Sequence, residues 1–105
     1  MRLPAELLVL GWSGKGLVRN YDEKATSSAK PLPTYYELTI PSASAAWNFT
    51  ANPVDAVIVN LGTNDYAIGQ EVYHPPAEAF INAYVAFVLK IRAKYPGAKV
   101  RPSFV

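Results

Sequence analysis

The sequence predicts a single α/β domain built on a short parallel sheet. Three observations favour this class. A β-branched run at residues 54–59 is typical of a strand buried on both faces, and it stops in the polar loop Asn-Leu-Gly-Thr-Asn-Asp at 60–65. A second apolar run, at residues 5–10, also ends in a polar loop. Residues 75–95 carry apolar side chains at helical spacing.

Residues 5–10, Ala-Glu-Leu-Leu-Val-Leu, are predicted to form the first strand. Its leucines and valine cover both faces, as burial between two layers requires. The loop that follows, Gly11-Trp12-Ser13-Gly14-Lys15-Gly16, is rich in glycine. Glycines at such spacing let a ligand approach the backbone closely and leave N–H groups accessible. The loop lacks the glycine-to-lysine spacing of a phosphate-binding Walker loop, so Lys15 is interpreted as a solvated residue.

Residues 16–22 are predicted to form a short helix or turn. The apolar side chains are expected to face inward and the polar ones outward: Leu17, Val18 and Tyr21 inward, Arg19 and Asn20 outward. Residues 22–30 are polar and lack periodicity, which predicts a surface loop. A helical turn is expected from Thr34 until Pro41 ends it.

Asn64 is the first candidate for a functional side chain. In open α/β sheets ligands bind outside the carboxyl ends of the strands, and Asn64 lies just beyond such an end. Its amide offers two N–H donors without a charge, which suits the stabilisation of a developing oxyanion. An alternative remains open, in which Asn64 and Asp65 cap the next segment or form an Asx-turn.

The clearest helix begins at Pro75-Pro76, because proline is tolerated in a first helical turn. Six residues at helical spacing are predicted to face the core: Phe80, Tyr84, Phe87, Val88, Ile91 and Tyr95. Pro96-Gly97 ends the helix. Residues 98–100 begin a third strand, which Arg101-Pro102 is expected to interrupt.

Together, the Gly-Trp-Ser-Gly-Lys-Gly loop and the later Asn-Leu-Gly-Thr-Asn-Asp loop resemble the second and third sequence blocks of the SGNH, or GDSL-type, hydrolases. Within them they resemble carbohydrate esterase family 2, the acetylxylan-esterase-like branch. The resemblance runs from about residue 5 to about residue 96. It implies a partial SGNH hydrolase domain over residues 1–105, with a flavodoxin-like, three-layer parallel sheet that lacks the first strand and the C-terminal part.

The resemblance also assigns roles to residues. Gly14 would supply a backbone N–H, and Asn64 a side-chain N–H, to the oxyanion hole of a serine esterase acting on acetyl or short acyl esters of carbohydrate. Trp12 and Tyr66 would lie beside the substrate, and Trp12 and Arg19 would shape the site. Packing in the core is an equally good interpretation of Tyr66.

The sequence departs from the family in two blocks. It has no Gly-Asp-Ser before Gly14 and no Asp-x-x-His near its end, and in the family these carry the nucleophile and the base. Ser13 corresponds to the residue before the oxyanion glycine, and His74 is interpreted as a loop or capping residue. We therefore expect an internal piece of an esterase, inactive alone and marginally stable, with an exposed sheet edge where the missing strand belongs.

Composition excludes several classes. The net charge of +2 and the scattered basic residues give no nucleic-acid footprint. There is no cysteine, and no apolar run is long enough to span a bilayer. No cofactor or metal is expected. The first residues do not match a signal peptide, so localisation is left open, although members of the family are often secreted.

Two other functions stay open. The chain would be a non-catalytic carbohydrate-binding or interaction module if Trp12, Tyr66 and the glycine-rich loop served binding alone. A flavodoxin-like nucleotide or flavin binder is disfavoured by the missing phosphate-loop spacing.

Overall fold

The computed structural model describes residues 6–39 and 45–103. The structure has two short 3₁₀ helices, Leu32–Tyr35 and Glu71–Tyr73, and three further elements. These are strand β1 (Ala56–Val59), helix α1 (Ala77–Lys94) and strand β2 (Lys99–Pro102). The strands pair in parallel, with Ala56 opposite Lys99 and Val59 opposite Pro102, so α1 is the crossover of a β-α-β unit.

The predicted helix is confirmed. Pro76 is its N-cap residue, and the helix stops at Tyr95 ahead of Pro96, as proline and glycine beyond the end require. Arg92 and Lys94 occupy the last turn, where positive charge interacts favourably with the helix dipole. Among residues 6–39 and 45–103, no helix combines the length and apolar character needed to cross a membrane.

The core lies between α1 and one face of the sheet. Its buried members come from the helix, both strands and the segment after the glycine-rich loop: Phe87, Ile91, Val59, Val100 and Leu17. The remaining residues predicted to face inward pack against this cluster and are partly buried: Phe80, Tyr84, Val88 and Tyr95. The helical spacing therefore identified the correct face of α1.

The prediction that β1 is buried on both faces is wrong for this chain. Val59 faces the core, but the Ile58 side chain is 73% exposed. Alternate residues of a strand point to opposite faces, and the described residues cover only one of them. The apolar sequence of β1 therefore leaves one uncovered sheet face.

The predicted first strand is also not formed over the part that the structure describes. Residues 6–10 have no strand structure, and Leu7 is 85% exposed. A strand is stabilised by the backbone ladder it shares with a neighbour, and within the described ranges β1 and β2 pair only with each other. The apolar character of residues 6–10 is not enough to form a strand without a pairing partner. Ala5 lies outside the described residues.

Pro102 does not interrupt the third strand, contrary to the prediction, but ends β2. The backbone N–H groups of Lys99 and Ser103 donate to the carbonyls of Asp55 and Val59, at 3.0 and 2.8 Å. Backbone amides alternate in direction along a strand, so the nitrogen of Pro102 faces the unpaired edge. Proline costs this strand no hydrogen bond.

The orientation predicted for residues 16–22 is wrong at three positions. Arg19 and Asn20 are buried, whereas Tyr21 is exposed. Residues 22–30 do form a mostly exposed loop. The helical turn expected from Thr34 occurs as the 3₁₀ helix Leu32–Tyr35, and Pro41 lies outside the described residues.

An aromatic cluster joins the 3₁₀ helix to α1. The Tyr36 ring packs edge-on against Phe87, with centroids 5.2 Å apart, and also lies 5.5 Å from the ring of Phe49. Its hydroxyl is buried without a hydrogen-bond partner in the described part of the chain. Burial, together with the nearby Tyr95 and Glu37, raises the pKa of Tyr36 to about 12.

We expect Tyr36→Phe to flatten the alkaline unfolding profile. The folded chain holds the Tyr36 proton up to a pKa of about 12, whereas the unfolded chain releases it near 10.0. The free energy of unfolding therefore falls as pH rises through this window, and the substitution removes that contribution. At pH 7 the variant should be as stable as the parent, or more stable by up to about 1 kcal/mol, because no hydrogen bond is lost.

Urea unfolding at pH 7 and between pH 10 and 12 measures both effects. Tyr21→Phe, at an exposed tyrosine, is the matched control and should retain the parental slope. A clear loss of stability at pH 7 in Tyr36→Phe would show that the hydroxyl has a partner after all.

Candidate functional site

The two polar loops predicted to carry function lie against each other. The later loop leaves β1 and turns at Gly62, whose carbonyl accepts the backbone N–H of Tyr66 at 3.0 Å. Gly62 has a φ of +122°, and a Cβ there would lie 3.3 Å from the Phe80 ring. Glycine is therefore required by backbone conformation and by close packing on α1.

Asp65 connects this loop to the first one. Its side chain is 0% exposed. Oδ2 accepts the backbone N–H of Leu17 at 2.8 Å, and Oδ1 accepts those of Val18 and Arg19 at 2.6 and 2.9 Å. A buried carboxylate needs such donors to replace its lost hydration. Three successive backbone amides thus fix a segment that has no regular secondary structure.

Arg19 makes the reciprocal connection and is only 1% exposed. The guanidinium lies 5.5 Å from the centre of the Tyr73 ring. Its fork of N–H groups donates to four backbone carbonyls and one side-chain amide: Ala25 O at 2.9 Å, Asn64 O at 3.1 Å, Tyr21 O at 3.3 Å, Glu23 O at 3.0 Å, and Gln70 Oε1.

Asn20 holds the outer side of the same segment. Its Oδ1 accepts the N–H of Gly16 at 3.3 Å, and its Nδ2 donates to a Glu23 oxygen at 2.5 Å. Hydrogen bonds from Ser28 and from Asn20 keep the pKa of Glu23 below its usual value. Buried polar groups in this segment are therefore matched with partners, as burial demands.

Of the two predicted oxyanion residues, Asn64 contacts the first loop one residue beyond the other, Gly14. Asn64 Nδ2 donates to the carbonyl of Lys15 at 2.8 Å, which places its amide beside the residue that follows Gly14. Gly14 has a φ of +80°, and its carbonyl accepts the N–H of Tyr21 at 2.8 Å. Within residues 6–39 and 45–103, the Gly14 N–H and the second N–H of Asn64 have no acceptor.

A cleft of about 210 Å³ opens between the two loops. Its walls come from the chain before Gly14, from Lys15 and Leu32, and from the later loop: Leu10, Gly11, Trp12, Lys15, Leu32, Asn60, Leu61, Gly62, Thr63 and Asn64. Gly14 itself does not line this cleft. The lining contains one cationic residue, Lys15, and no acidic one.

Trp12 forms the aromatic side of the cleft and is 44% exposed. Its ring lies 5.0 Å from that of Tyr35, and the Lys15 ammonium lies 4.7 Å from the Trp12 centroid. The contact with Tyr35 and the cation–π contact limit the motion of the indole while leaving part of it open.

Tyr66 lies apart from the cleft lining. Its hydroxyl donates to the carbonyl of Pro75 at 3.2 Å, and its ring packs edge-on against Phe80 and His74. Burial, and secondarily the negative charge of Asp65, raises the pKa of Tyr66. The structure gives Tyr66 a packing role, and its contact with substrate stays a prediction.

His74 and Ser13 are not joined by a hydrogen bond in the described part of the chain. The His74 ring pairs with the carbonyl of Ala67 at 2.9 Å, so one ring nitrogen is already engaged. Glu71, three residues earlier, accepts the N–H of Gly69 at 2.9 Å instead of orienting the imidazole. That hydrogen bond lowers the pKa of Glu71. The described residues also contain no group of three potential metal ligands.

Sequence reasoning missed Asp65 and Arg19 as the residues that hold the site together. The residues around Asp65 predict only a local cap or Asx-turn for it, and the pattern of residues 16–22 predicts that Arg19 faces outward, although the family resemblance places Arg19 beside the site. The position of Asp65 directly after Asn64 was the available signal. Nothing local in the sequence marks Arg19, because its partners lie at 21–25, 64 and 70.

Comparisons with known proteins support the family resemblance that the sequence indicates. No model of a known protein family matches the sequence. Over 100 residues the chain is 31% identical to an acetylxylan esterase/glucomannan deacetylase of Cellvibrio japonicus, covering 93% of this chain and 26% of that protein. Over 98 residues it is 29% identical to the cellulase/esterase CelE of Acetivibrio thermocellus, covering 93% and 11%.

A solved structure gives the same result. It is an active-site mutant of a family two carbohydrate esterase from Clostridium thermocellum, in complex with cellohexaose. The two structures match with a TM-score of 0.76 at 28% identity, covering 90% of this chain and 27% of that one. The resemblance indicated by the sequence is confirmed, and the chain spans about a quarter or less of each protein it matches.

We expect Gly16→Ala to destabilise the junction of the two loops. A Cβ at Gly16 would meet the carbonyl oxygen of Arg19 and would lie 2.6 Å from Asp65 Oδ2, which is held by a buried hydrogen bond from the Leu17 N–H. Such overpacking costs about 1–3 kcal/mol. Urea unfolding measures the loss. Gly11→Ala is the matched control, because a Cβ there has nothing within 4 Å, and equal losses in the two variants would contradict this explanation.

Proposed function

Because this chain is related to the family two carbohydrate esterases, we propose that its two loops form the oxyanion-binding part of a serine esterase. The substrate class is a carbohydrate that carries acetyl or short acyl esters. The observation that carries the proposal is the contact of Asn64 with the first loop beside Gly14, made by the 2.8 Å hydrogen bond from Asn64 Nδ2 to the Lys15 carbonyl.

The chemistry follows from the donors at this junction. When a serine attacks the ester carbonyl, negative charge develops on the carbonyl oxygen. The backbone N–H of Gly14 and the second N–H of Asn64 have no acceptor among the described residues, so they are available to that oxygen. Donors already fixed in place stabilise the tetrahedral intermediate without reorganisation at the moment of reaction.

The nucleophile and the base have to come from outside these 105 residues. The sequence contains no Gly-Asp-Ser and no Asp-x-x-His. Ser13 is exposed, and the His74 ring is committed to the Ala67 carbonyl. A serine without a base within hydrogen-bond reach is a weak nucleophile. We therefore propose that the 105 residues alone do not hydrolyse esters.

The carbohydrate would contact the aromatic side of the cleft. Trp12 is partly open and is braced by Tyr35 and Lys15, so its face can stack on a sugar ring. Binding of cellohexaose by the related Clostridium thermocellum structure supports a saccharide as the ligand class. Tyr66 is the weaker second contact, because its hydroxyl and ring already have partners.

The sheet of such an enzyme would be larger than the two strands described here. We propose that β1 and β2 are neighbouring strands of a flavodoxin-like, three-layer sheet. The uncovered Ile58 and the exposed residues 7–10 supply the apolar surface that further layers would cover.

A non-catalytic carbohydrate-binding module is the second candidate. The braced Trp12 at the cleft favours it, because stacking needs neither a nucleophile nor a base. The two candidates differ in turnover, and both predict saccharide binding.

The first prediction concerns the chain alone. With 4-nitrophenyl acetate, hydrolysis should not exceed the buffer rate, and Ser13→Ala should change nothing. Hydrolysis by the 105 residues that disappears in Ser13→Ala would contradict the proposed need for an external nucleophile.

The second prediction concerns Asn64 in a working enzyme. In the Cellvibrio japonicus esterase, this chain replaces the matching segment. We call the product the exchanged enzyme, and its kcat and KM are measured for 4-nitrophenyl acetate. Asn64→Ala should lower kcat by about a hundredfold or more, with little change in KM, because an oxyanion donor acts mainly in the transition state.

Asn82→Ala, at an exposed position of α1, is the matched control and should leave kcat unchanged. An Asn64→Ala variant with the parental kcat would contradict the proposed oxyanion hole. Cellohexaose binding that is weakened by Trp12→Ala, with no turnover in the exchanged enzyme, would favour the binding module.

A further inference from the structure

Two charged side chains, Asp65 and Arg19, are buried at the junction of the loops without forming an ion pair with each other. The two ion pairs found in the described part of the chain join Lys90 and Lys94 to Glu37, on the surface between α1 and residue 37. Each buried charge is instead stabilised mainly by the backbone of the opposite loop or of its own. Burying two charges in this way is costly unless their partners are fixed.

The hydrogen bonds cross between the loops in both directions. The carboxylate of Asp65 accepts the N–H groups of residues 17–19, and the guanidinium of Arg19 donates to the carbonyl of Asn64. We call this arrangement the crossed clasp: the Asp65 carboxylate, the residue 17–19 amides, the Arg19 guanidinium and the Asn64 carbonyl. It fixes the backbone after the glycine-rich loop and the backbone at Asn64, which are the two segments that carry the candidate oxyanion donors.

From this geometry we propose that Asp65 is the positioning residue of the oxyanion hole. It acts through the backbone and does not touch the substrate. The Gly14 carbonyl accepts the N–H of Tyr21, two residues beyond the amide of Arg19 that Asp65 binds. Fixing residues 17–19 therefore helps to fix one end of the hydrogen bond to the Gly14 carbonyl, and this bond holds the residue whose own N–H is the proposed donor.

The same carboxylate controls the position of Asn64. Asp65 directly follows Asn64, and anchoring its side chain to the first loop fixes the backbone from which the Asn64 amide projects. That amide then reaches the Lys15 carbonyl at 2.8 Å. The positions of both donors, the Gly14 N–H and the Asn64 amide, thus depend on the Asp65 carboxylate. A misplacement of about 1 Å at a catalytic donor is enough to lower a rate severely.

The space around Asp65 supports a fitted role. Gly16 leaves no room for a side chain, since a Cβ there would lie 2.6 Å from Asp65 Oδ2. The first loop therefore approaches the carboxylate as closely as backbone allows. A neutral amide in place of the carboxylate keeps the size but loses an acceptor, and its NH₂ would confront a backbone N–H donor.

The test compares Asp65→Asn with the parent chain by NMR and amide hydrogen exchange. This inference rests on the proposed oxyanion hole for its catalytic meaning, but the readouts are independent of activity. In Asp65→Asn we expect the Gly14 amide and the Asn64 side-chain amide signals to shift. Exchange at Leu17, Val18 and Arg19 should accelerate about tenfold to a hundredfold, as the loss of a charged acceptor implies.

Three comparisons make the result specific. Amides of Ile91 and Val100 in the core should exchange at the parental rate, which excludes general unfolding. Asp22→Asn makes the same chemical change at an exposed residue and should leave every signal of the clasp in place. Asn64→Ala should leave exchange at residues 17–19 slow, because Asp65 still holds them.

Parental Gly14 and Asn64 signals in a folded Asp65→Asn chain would overturn the proposal. If that variant does not fold, exchange in the unmodified chain at low urea concentrations decides. The amides of Leu17, Val18, Arg19 and Tyr21 should then open with one free energy and one urea dependence. A separate, easier opening of the Tyr21 amide would overturn the proposal.

The outcome is distinguishable from failure of the proposed function. Unchanged kcat in Asn64→Ala of the exchanged enzyme removes the oxyanion hole but leaves the clasp as a structural finding. Unchanged Gly14 and Asn64 signals in Asp65→Asn remove the positioning role but leave the oxyanion hole.

Discussion

The binding of three successive backbone amides by the buried Asp65 carboxylate is the interaction on which the site depends. Residues 17–19 have no helix or strand to satisfy their N–H groups, and the carboxylate supplies the acceptors that secondary structure would otherwise provide. Because Asp65 belongs to the loop after β1, the same contacts join two segments 46 to 48 residues apart. The cleft lies between the loops that these contacts join.

The hydrophobic core supports this junction, because residues next to both loops pack in it. Leu17 is buried against Phe87 and Ile91 of α1, so the residue whose amide binds Asp65 also packs on the helix. Val59, at the end of β1, belongs to the same cluster. Core packing therefore holds the chain where the first loop ends and where the later loop begins, and the crossed clasp determines how they meet. Neither alone would bring the Asn64 amide to the Lys15 carbonyl.

The apolar surfaces outside this core have a different character. Ile58 on β1 and Ile81, Val85 and Leu89 on α1 are exposed apolar side chains. The matched proteins are roughly four to nine times longer than the aligned part of this chain, as coverages of 26% and 11% imply. Exposed apolar surface of this kind is what further layers of an α/β protein cover.

The sequence by itself determined the helix 77–94, its buried face, the strand at 56–59 and the family resemblance of the two loops, because each depends on local spacing or on a short motif. It misplaced residues 6–10 and Arg19, and it did not predict the contacts of Asp65 with residues 17–19. A strand forms only where a partner offers its backbone, and a charge is buried only where distant carbonyls or amides receive it. Such partners come from the tertiary structure. The tertiary structure alone therefore decided that residues 6–10 lie outside the sheet and that Arg19 and Asp65 are buried.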